Sequence, residues 1–495
     1  CSLSGDPEYG GQGLPHVLQT LLNEIVSSAN LSFGLYPGLT RGAVEAIGRH
    51  ASPELTAIYL PKMISGEWTG AMALTEASAG TDLGLLTTRA APKGDGSYAI
   101  SGTKIFISSG DHDFGGNIVH LVLARLPDAP GGVKGISLFL CPKFLVEADG
   151  TLGPRNAMSV GALEHKMGIH AQPTCVMNYD GATAWLVGEP GRGLNAMFTM
   201  MNAERLFVGI QGLGIAEAAN QKAVAYAKER LQGYGSDGTP GPVPIVSHPD
   251  VRRMLLWGRA FADAARALAV WTALQMDIAG RHPAGSVRRE ADALVALLTP
   301  VVKAAFTDFG FAAAVTSQQV FGGHGYIREW GMEQYVRDAR ITQIYEGTNG
   351  VQAMDLVSRK LPLDGGRLTG RFFASVREDL EAAERTVGPD LAVPVADALA
   401  RLEAVTQRLA GASAAEAGAA ANDYLRLFAL VAFGWMWVRM AAASIAPGEA
   451  AEPEERRKPA LAKFFVERML PEVLGLEAAI VSGPASMMAL DASAF

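Results

Sequence analysis

Cysteine is scarce in this sequence. Its 495 residues hold three cysteines, Cys1, Cys141 and Cys175, none at a spacing that pairs or ligates. A disulfide framework and a zinc site are therefore not expected, and idle thiols in a reducing compartment are. Basic excess is missing too: the net charge is -8, whereas nucleic-acid binders leave a basic footprint. No G-x-G-x-x-G follows a strand-like run, and no G-x-x-x-x-G-K-[ST], H-E-x-x-H, G-x-S-x-G or C-x-x-C occurs. A Rossmann dinucleotide site, a P-loop, a zinc-protease helix and a nucleophile elbow lose their support. The nine histidines are scattered. His324 has no second ligand at a usable spacing, so it reads as a packing or hydrogen-bonding residue and no metal is expected.

No secretory hydrophobic segment opens the chain, which starts at Cys1 without Met. The run Leu427–Ala446 is apolar almost all round and near the length of a membrane span, but Gly434 and Arg439 interrupt it. Its flanks lack aromatic or basic anchors, so the centre of a helical bundle is expected and no membrane.

What is present is length and a hydrophobic content of 49%, enough for several cored domains. Four regions separate. Residues 1–67 read as helical: Val17, Leu18, Leu21, Leu22, Ile25 and Val26 recur at helical spacing, and Pro53 and Pro61 suit helix starts. Residues 68–190 hold short apolar runs between Gly and Pro turns, the pattern of a small antiparallel barrel or sandwich. Residues 191–361 return to long Ala-rich helices, broken by a Gly- and Pro-rich loop at Gly233–Pro244, and predict a bundle. Residues 362–495 are a further helical block, with a solvent-exposed break at Pro447–Pro459. The fold class is thus mainly α with a central β domain and an extra C-terminal helical domain.

Within RDARITQIYEGTNGVQAMDLVSRKL (337–361), Glu346 precedes a turn at Gly347 and a helix that Thr348 or Asn349 can cap. Val351, Met354, Leu356 and Val357 supply its apolar stripe. A carboxylate there suits a general base; an acidic residue complementing the helix dipole is the plainer reading.

This segment, with QVFGGHGYIRE (319–329) before it and ALTEASAGTD (73–82) far upstream, closely resembles the two signatures of the acyl-CoA dehydrogenase family. The 40-residue run ending at Leu361 and the helical extension look most like the subgroup acting on 3-methylmercaptopropionyl-CoA. Family members carry further helices ahead of the position matching Cys1, so an incomplete N-terminal domain is expected, in a cytoplasmic enzyme.

The resemblance implies FAD as cofactor and α,β-dehydrogenation of an acyl-CoA to the trans-2-enoyl-CoA. Electrons would pass to electron-transferring flavoprotein. Met72, Leu74, Thr75 and Thr81 would contact flavin, with Gly80 beside them. Phe106 would stack on the ring, and Ser108 would donate a hydrogen bond near N5. Arg230, Gln319 and Gly323 would hold the adenine half of a neighbouring subunit's cofactor, implying a homodimer or dimer of dimers. Thr348 would touch flavin, while Thr81, Arg205 and Gly347 would meet substrate. Glu346 would remove the α-proton. Some branches take the base from the position of Glu204, here at the expected start of a helix, so that assignment stays open. Leu85, Gly233 and His170 depart from the family pattern. An oxygen-using acyl-CoA oxidase and a DNA-associated flavoprotein of the same fold are the competing readings.

Overall fold

The computed structural model describes residues 2–147, 149–235, 238, 240–445 and 457–495. Most of the break at Pro447–Pro459, with Glu452, Glu454, Glu455 and Arg456, lies outside the described residues, as does Cys1. The chain divides into two compact units, Cys1–Phe207 and Val208–Phe495.

The first unit opens with three helices, α1 (His16–Ala29), α2 (Leu31–His50) and α3 (Pro53–Ser65). Asn30 caps α2 by accepting from the Phe33 amide at 3.0 Å, and Ser52 caps α3, with Pro53 at its first turn. Pro61 was expected to start a helix, but it sits inside α3.

Nine strands follow: β1 (Trp68–Ala73), β2 (Arg89–Pro92), β3 (Tyr98–Ser108), β4 (Asn117–Arg125), β5 (Ile136–Pro142), β6 (Phe144–Val146), β7 (Leu152–Arg155), β8 (Met158–Leu163) and β9 (Thr174–Val187). Pairings β4–β2, β2–β3, β3–β9, β9–β5 and β5–β4 close a ring, with β1 added to β4 and β8 to β9. Full closure removes open edges. The expected antiparallel barrel is therefore mixed: β1 runs parallel to β4, Trp68 opposite Asn117. Alternation along β4 explains its two faces. Ile118, Val122 and Ala124 enter one core with Ile100, Phe139 and Met177. Val119, Leu121 and Leu123 join a second with Leu39, Ile47, Tyr59 and Leu60 of the helices.

Helix α4 (Gly193–Glu229) contains the division between units. In the second unit β10 (Leu231–Tyr234) and β11 (Pro242–Pro244) pair antiparallel. The Gly- and Pro-rich stretch expected as a loop is thus a short hairpin at its described residues, with Gly233 at φ +69°. Then come α5 (Pro249–Arg281), α6 (Gly285–Val320), α7 (Met332–Thr342), α8 (Asn349–Asp355), α9 (Arg367–Val387), α10 (Pro389–Leu409), α11 (Ala414–Ile445), α12 (Lys458–Arg468) and α13 (Glu472–Ser482). Helix α11 packs against α5, α6 and α8 and against all four other helices of the C-terminal block. Among the described residues, two helices, α6 and α11, are long and apolar enough to cross a membrane, but 78% and 67% of their apolar windows are buried in the protein. Interior bundle helices have that environment.

Candidate functional site

In the first unit, β1 leads into the 73–82 motif. Met72 and Thr75 are half-buried, Leu74 is buried, and Gly80 and Thr81 are exposed. Across from them β3 carries a bulge, since three steps from Lys104 to Ile107 match two on β9 from Met177 to Cys175. The extra residue re-aims the strand. Phe106 adopts φ +60° and turns outward, 59% exposed, with Ser108 half-buried beyond it. A left-handed phenylalanine is a strained residue.

An ion pair that motif reading missed ties these segments together. Buried Lys104 donates to Glu76 Oε1 and to the Leu74 carbonyl, both at 2.9 Å. Glu76 Oε1 also accepts from the Thr88 amide (3.0 Å) and hydroxyl (2.6 Å), and Oε2 from the Thr87 amide and hydroxyl (both 2.7 Å). Burial raises the Glu76 pKa, but Lys104, Thr88 and Thr87 together outweigh it and bring it down to about 2. Burial lowers the pKa of Lys104, opposed by Glu76. The ammonium faces two oxygen acceptors, Glu76 Oε1 and the Leu74 carbonyl. The Ile105 amide donates to the Thr75 carbonyl at 2.9 Å, one step further along. Glu76 lies inside the motif, and only its acidity hinted at this role.

Helix α4 begins at Gly193, so Glu204 is three turns in rather than in the first turn expected. It is 2% exposed, and a Cβ at Gly42 of α2 would stand 2.9 Å from its Oε1. Arg205 is buried as well; its guanidinium lies 5.7 Å from the Phe198 ring centre and donates to Asn202 at 3.3 Å.

The second unit holds Glu346 at φ +56° and Gly347 at φ +82°, both half-buried. Thr348 is the cap of α8, accepting from the Val351 amide at 3.3 Å. Asn349 instead anchors the loop from behind. Its amide nitrogen donates to Asp308 (2.7 Å), Thr307 Oγ1 (2.9 Å) and the Ala304 carbonyl (3.2 Å), and its oxygen accepts from the buried Lys303 ammonium at 2.8 Å. Gln352 Nε2 donates to the Glu346 carbonyl at 3.2 Å, and the Tyr345 hydroxyl donates to Gln211. These anchors also escaped sequence reading, because each partner is over 40 residues away except Gln352. The expected stripe is shifted: Ala353, Leu356 and Val357 are buried while Met354 is 37% exposed, and a π-helical turn at Leu356–Lys360 follows.

Arg230, Gln319 and Gly323 are all exposed. A Cβ at Gly323 would meet nothing within 4 Å, so no segment of this chain occupies the close approach expected there. His324 bonds Tyr226 at 2.8 Å through Nδ1 and stacks on Trp330 at 4.6 Å, a packing role. No cluster of metal ligands occurs among the described residues.

Comparison with known proteins agrees along the chain. Residues 2–67, 71–182 and 191–361 match the N-terminal, middle and C-terminal domains of acyl-CoA dehydrogenase. Residues 372–491 match the domain described as acetyl-CoA dehydrogenase C-terminal like. The 3-methylmercaptopropionyl-CoA dehydrogenase of Ruegeria pomeroyi is 45% identical, over 95% of this chain and 81% of that protein. A broad-specificity linear acyl-CoA dehydrogenase of Mycobacterium tuberculosis is 33% identical over 99% of this chain and 84% of its own. An acyl-CoA dehydrogenase from Bacillus anthracis, solved with FAD, superposes with a TM-score of 0.79 at 22% identity, over 97% of this chain and 80% of that one, and attests the fold.

Proposed function

The chain belongs to the acyl-CoA dehydrogenase family, an FAD-dependent class of enzymes, and we propose that it converts 3-methylmercaptopropionyl-CoA to the trans-2-enoyl thioester with Glu346 as base. The observation that carries the base assignment is the strained Glu346 backbone, at φ +56°, in a loop fixed by Asn349, Gln352 and Tyr345. Strain held by its surroundings is the mark of a positioned functional group. Glu204 is packed under Gly42 of α2, an environment that suits a wall of the acyl pocket.

The first unit fits a flavin. Phe106 offers a bare aromatic face, and Thr75 and Ser108 offer half-buried hydroxyls beside it. Bound FAD supplies the two-electron acceptor for the β-hydrogen. Thr81 and Ser108 would donate hydrogen bonds to the flavin, and Met72 and Leu74 would border it. In the second unit Glu346 takes the α-proton, Gly347 gives the substrate room at the turn, and Thr348 contacts the cofactor. Loss of the α-proton to the Glu346 carboxylate, with the β-hydrogen and its electron pair going to the acceptor that FAD would supply, would balance the new C=C bond.

Exposed Arg230, Gln319 and Gly323 serve the adenine half of a second subunit's cofactor, in a homodimer or dimer of dimers. Tyr326, 85% exposed on the same segment, supports an interface there. The substrate choice rests on the 45% identical relative, electron-transferring flavoprotein is the proposed acceptor, and the cytoplasm the proposed compartment.

Anaerobic bleaching of the flavin with a panel of acyl-CoAs tests this. Fastest reduction is expected with 3-methylmercaptopropionyl-CoA. Glu346→Gln should bind acyl-CoA yet reduce about 10²–10⁴-fold more slowly, the range for losing a general base, while Glu204→Gln keeps most of the rate. The reverse pattern would move the base to Glu204. Rapid peroxide formation in air would replace the flavoprotein acceptor by oxygen.

A further inference from the structure

The proposed flavin face has a mechanical problem that the sequence does not announce. Phe106 must be held outward in a left-handed conformation that L side chains rarely adopt, although the residue is 59% exposed. The constraint has to come from its neighbours. Two residues earlier Lys104 is fully buried and bonds both Glu76 and the Leu74 carbonyl. One residue earlier the Ile105 amide holds the Thr75 carbonyl. Leu74 and Thr75 are themselves assigned to the flavin. Four bonds from the Thr87 and Thr88 amides and hydroxyls then fix the Glu76 carboxylate from the far side.

We propose that Glu76 and Lys104 are positioning residues, a clamp joining the 73–82 motif to the β3 bulge so that Phe106 is presented to the isoalloxazine before FAD arrives. Lys104 sets the spacing of the two flavin-facing segments, and Glu76 with its threonines sets where Lys104 stands. Neither side chain touches the cofactor, since both are shut away from solvent. The inference rests on the reading of this unit as the flavin site, and goes beyond it in assigning these two residues and the path through which they act.

Removing one partner leaves an uncompensated buried charge, whereas removing both is often tolerated. The variant of choice is therefore Glu76→Gln with Lys104→Met. Thr87→Val, which deletes a single hydroxyl donor at an exposed position, is the milder second. Each is combined with Phe106→Leu in a double-mutant cycle. FAD affinity is titrated with apoprotein, the flavin's visible circular dichroism is recorded, and apoprotein melting monitors the fold.

Folded apoprotein of the paired variant should bind FAD about tenfold or more weakly, matching release of the bulge strain, with a changed visible dichroism. Thr87→Val should do the same to a smaller degree. In either background Phe106→Leu should cost less than it does alone, because the ring is no longer presented. Additive losses, or unchanged FAD affinity in a folded variant, would overturn the clamp while leaving the flavin reading intact. If the paired variant does not fold, Thr87→Val decides by the same criterion. An unaltered chain that takes up no FAD would overturn the flavin reading and the clamp with it.

Discussion

At Glu76 and Glu217 the same contest between burial and hydrogen bonding is decided the same way. Burial raises the Glu217 pKa, but the Arg259 guanidinium gripping both oxygens (2.9 and 2.6 Å), Gln221 (2.7 Å) and Arg266 (2.7 Å) bring it to about 2, like Glu76. Both carboxyls start from an ordinary value of 4.5. A depressed folded pKa means that the unfolded chain binds the proton more readily. Their stabilisation is complete above 4.5 and lost as the pH falls toward 2. Urea midpoints measured from pH 6 to 2.5 should therefore decline steeply below 4.5. Glu217→Gln should lower stability at pH 6 and flatten that decline. An unchanged slope in the variant would show that Glu217 titrates alike in both states.

Between elements, glycine decides how closely α4 and α6 approach. A Cβ at Gly212 would stand 2.6 Å from the Phe306 carbonyl oxygen, and one at Gly310 2.4 Å from that of Gly212. The obstacles are backbone atoms, which cannot rotate away. Gly212→Ala should destabilise by about 1–3 kcal/mol through overpacking, despite the better helix propensity of Ala. It should also slow flavin reduction, because the adjacent Gln211 holds Tyr345 beside the proposed base. Gly475→Ala in α13, where nothing lies within 4 Å, should instead raise the melting temperature slightly. Equal melting shifts for the two would refute the crossing argument. Such crossings mark the limit of what the letters show. The period of α5 and α6 and the β-prone runs of the barrel were legible because they are local. The parallel pairing of Trp68 with Asn117, the left-handed Phe106 and the depth of Glu204 depend on partners far along the chain. The motif around Glu346 was legible as text; the Asn349 anchors that hold its loop were not.

Across the second unit, the apolar helix α11 raises the question of what its side chains need. A segment apolar on all faces is satisfied either by lipid or by protein. Here protein supplies it. Phe433 meets Phe261, Phe306 and Phe309 at 5.9, 5.8 and 5.5 Å. Trp437 donates its indole N–H to the Ala260 carbonyl at 3.1 Å, and Lys458 of α12 reaches Asp263 of α5 at 2.8 Å. The C-terminal block therefore completes the core of α5 and α6 rather than hanging from it. A chain ending at Leu361 would bare Phe261, Phe306 and Phe309 as a contiguous apolar patch, which drives association. That truncation should aggregate or bind a hydrophobic dye strongly. In the full chain Trp437→Ala should cost about 3–5 kcal/mol, the range for emptying a large aromatic site. If the truncated chain keeps the full chain's oligomeric state and melts where the full chain does, the block is an independent appendage. In that case α11 finds its apolar partners elsewhere.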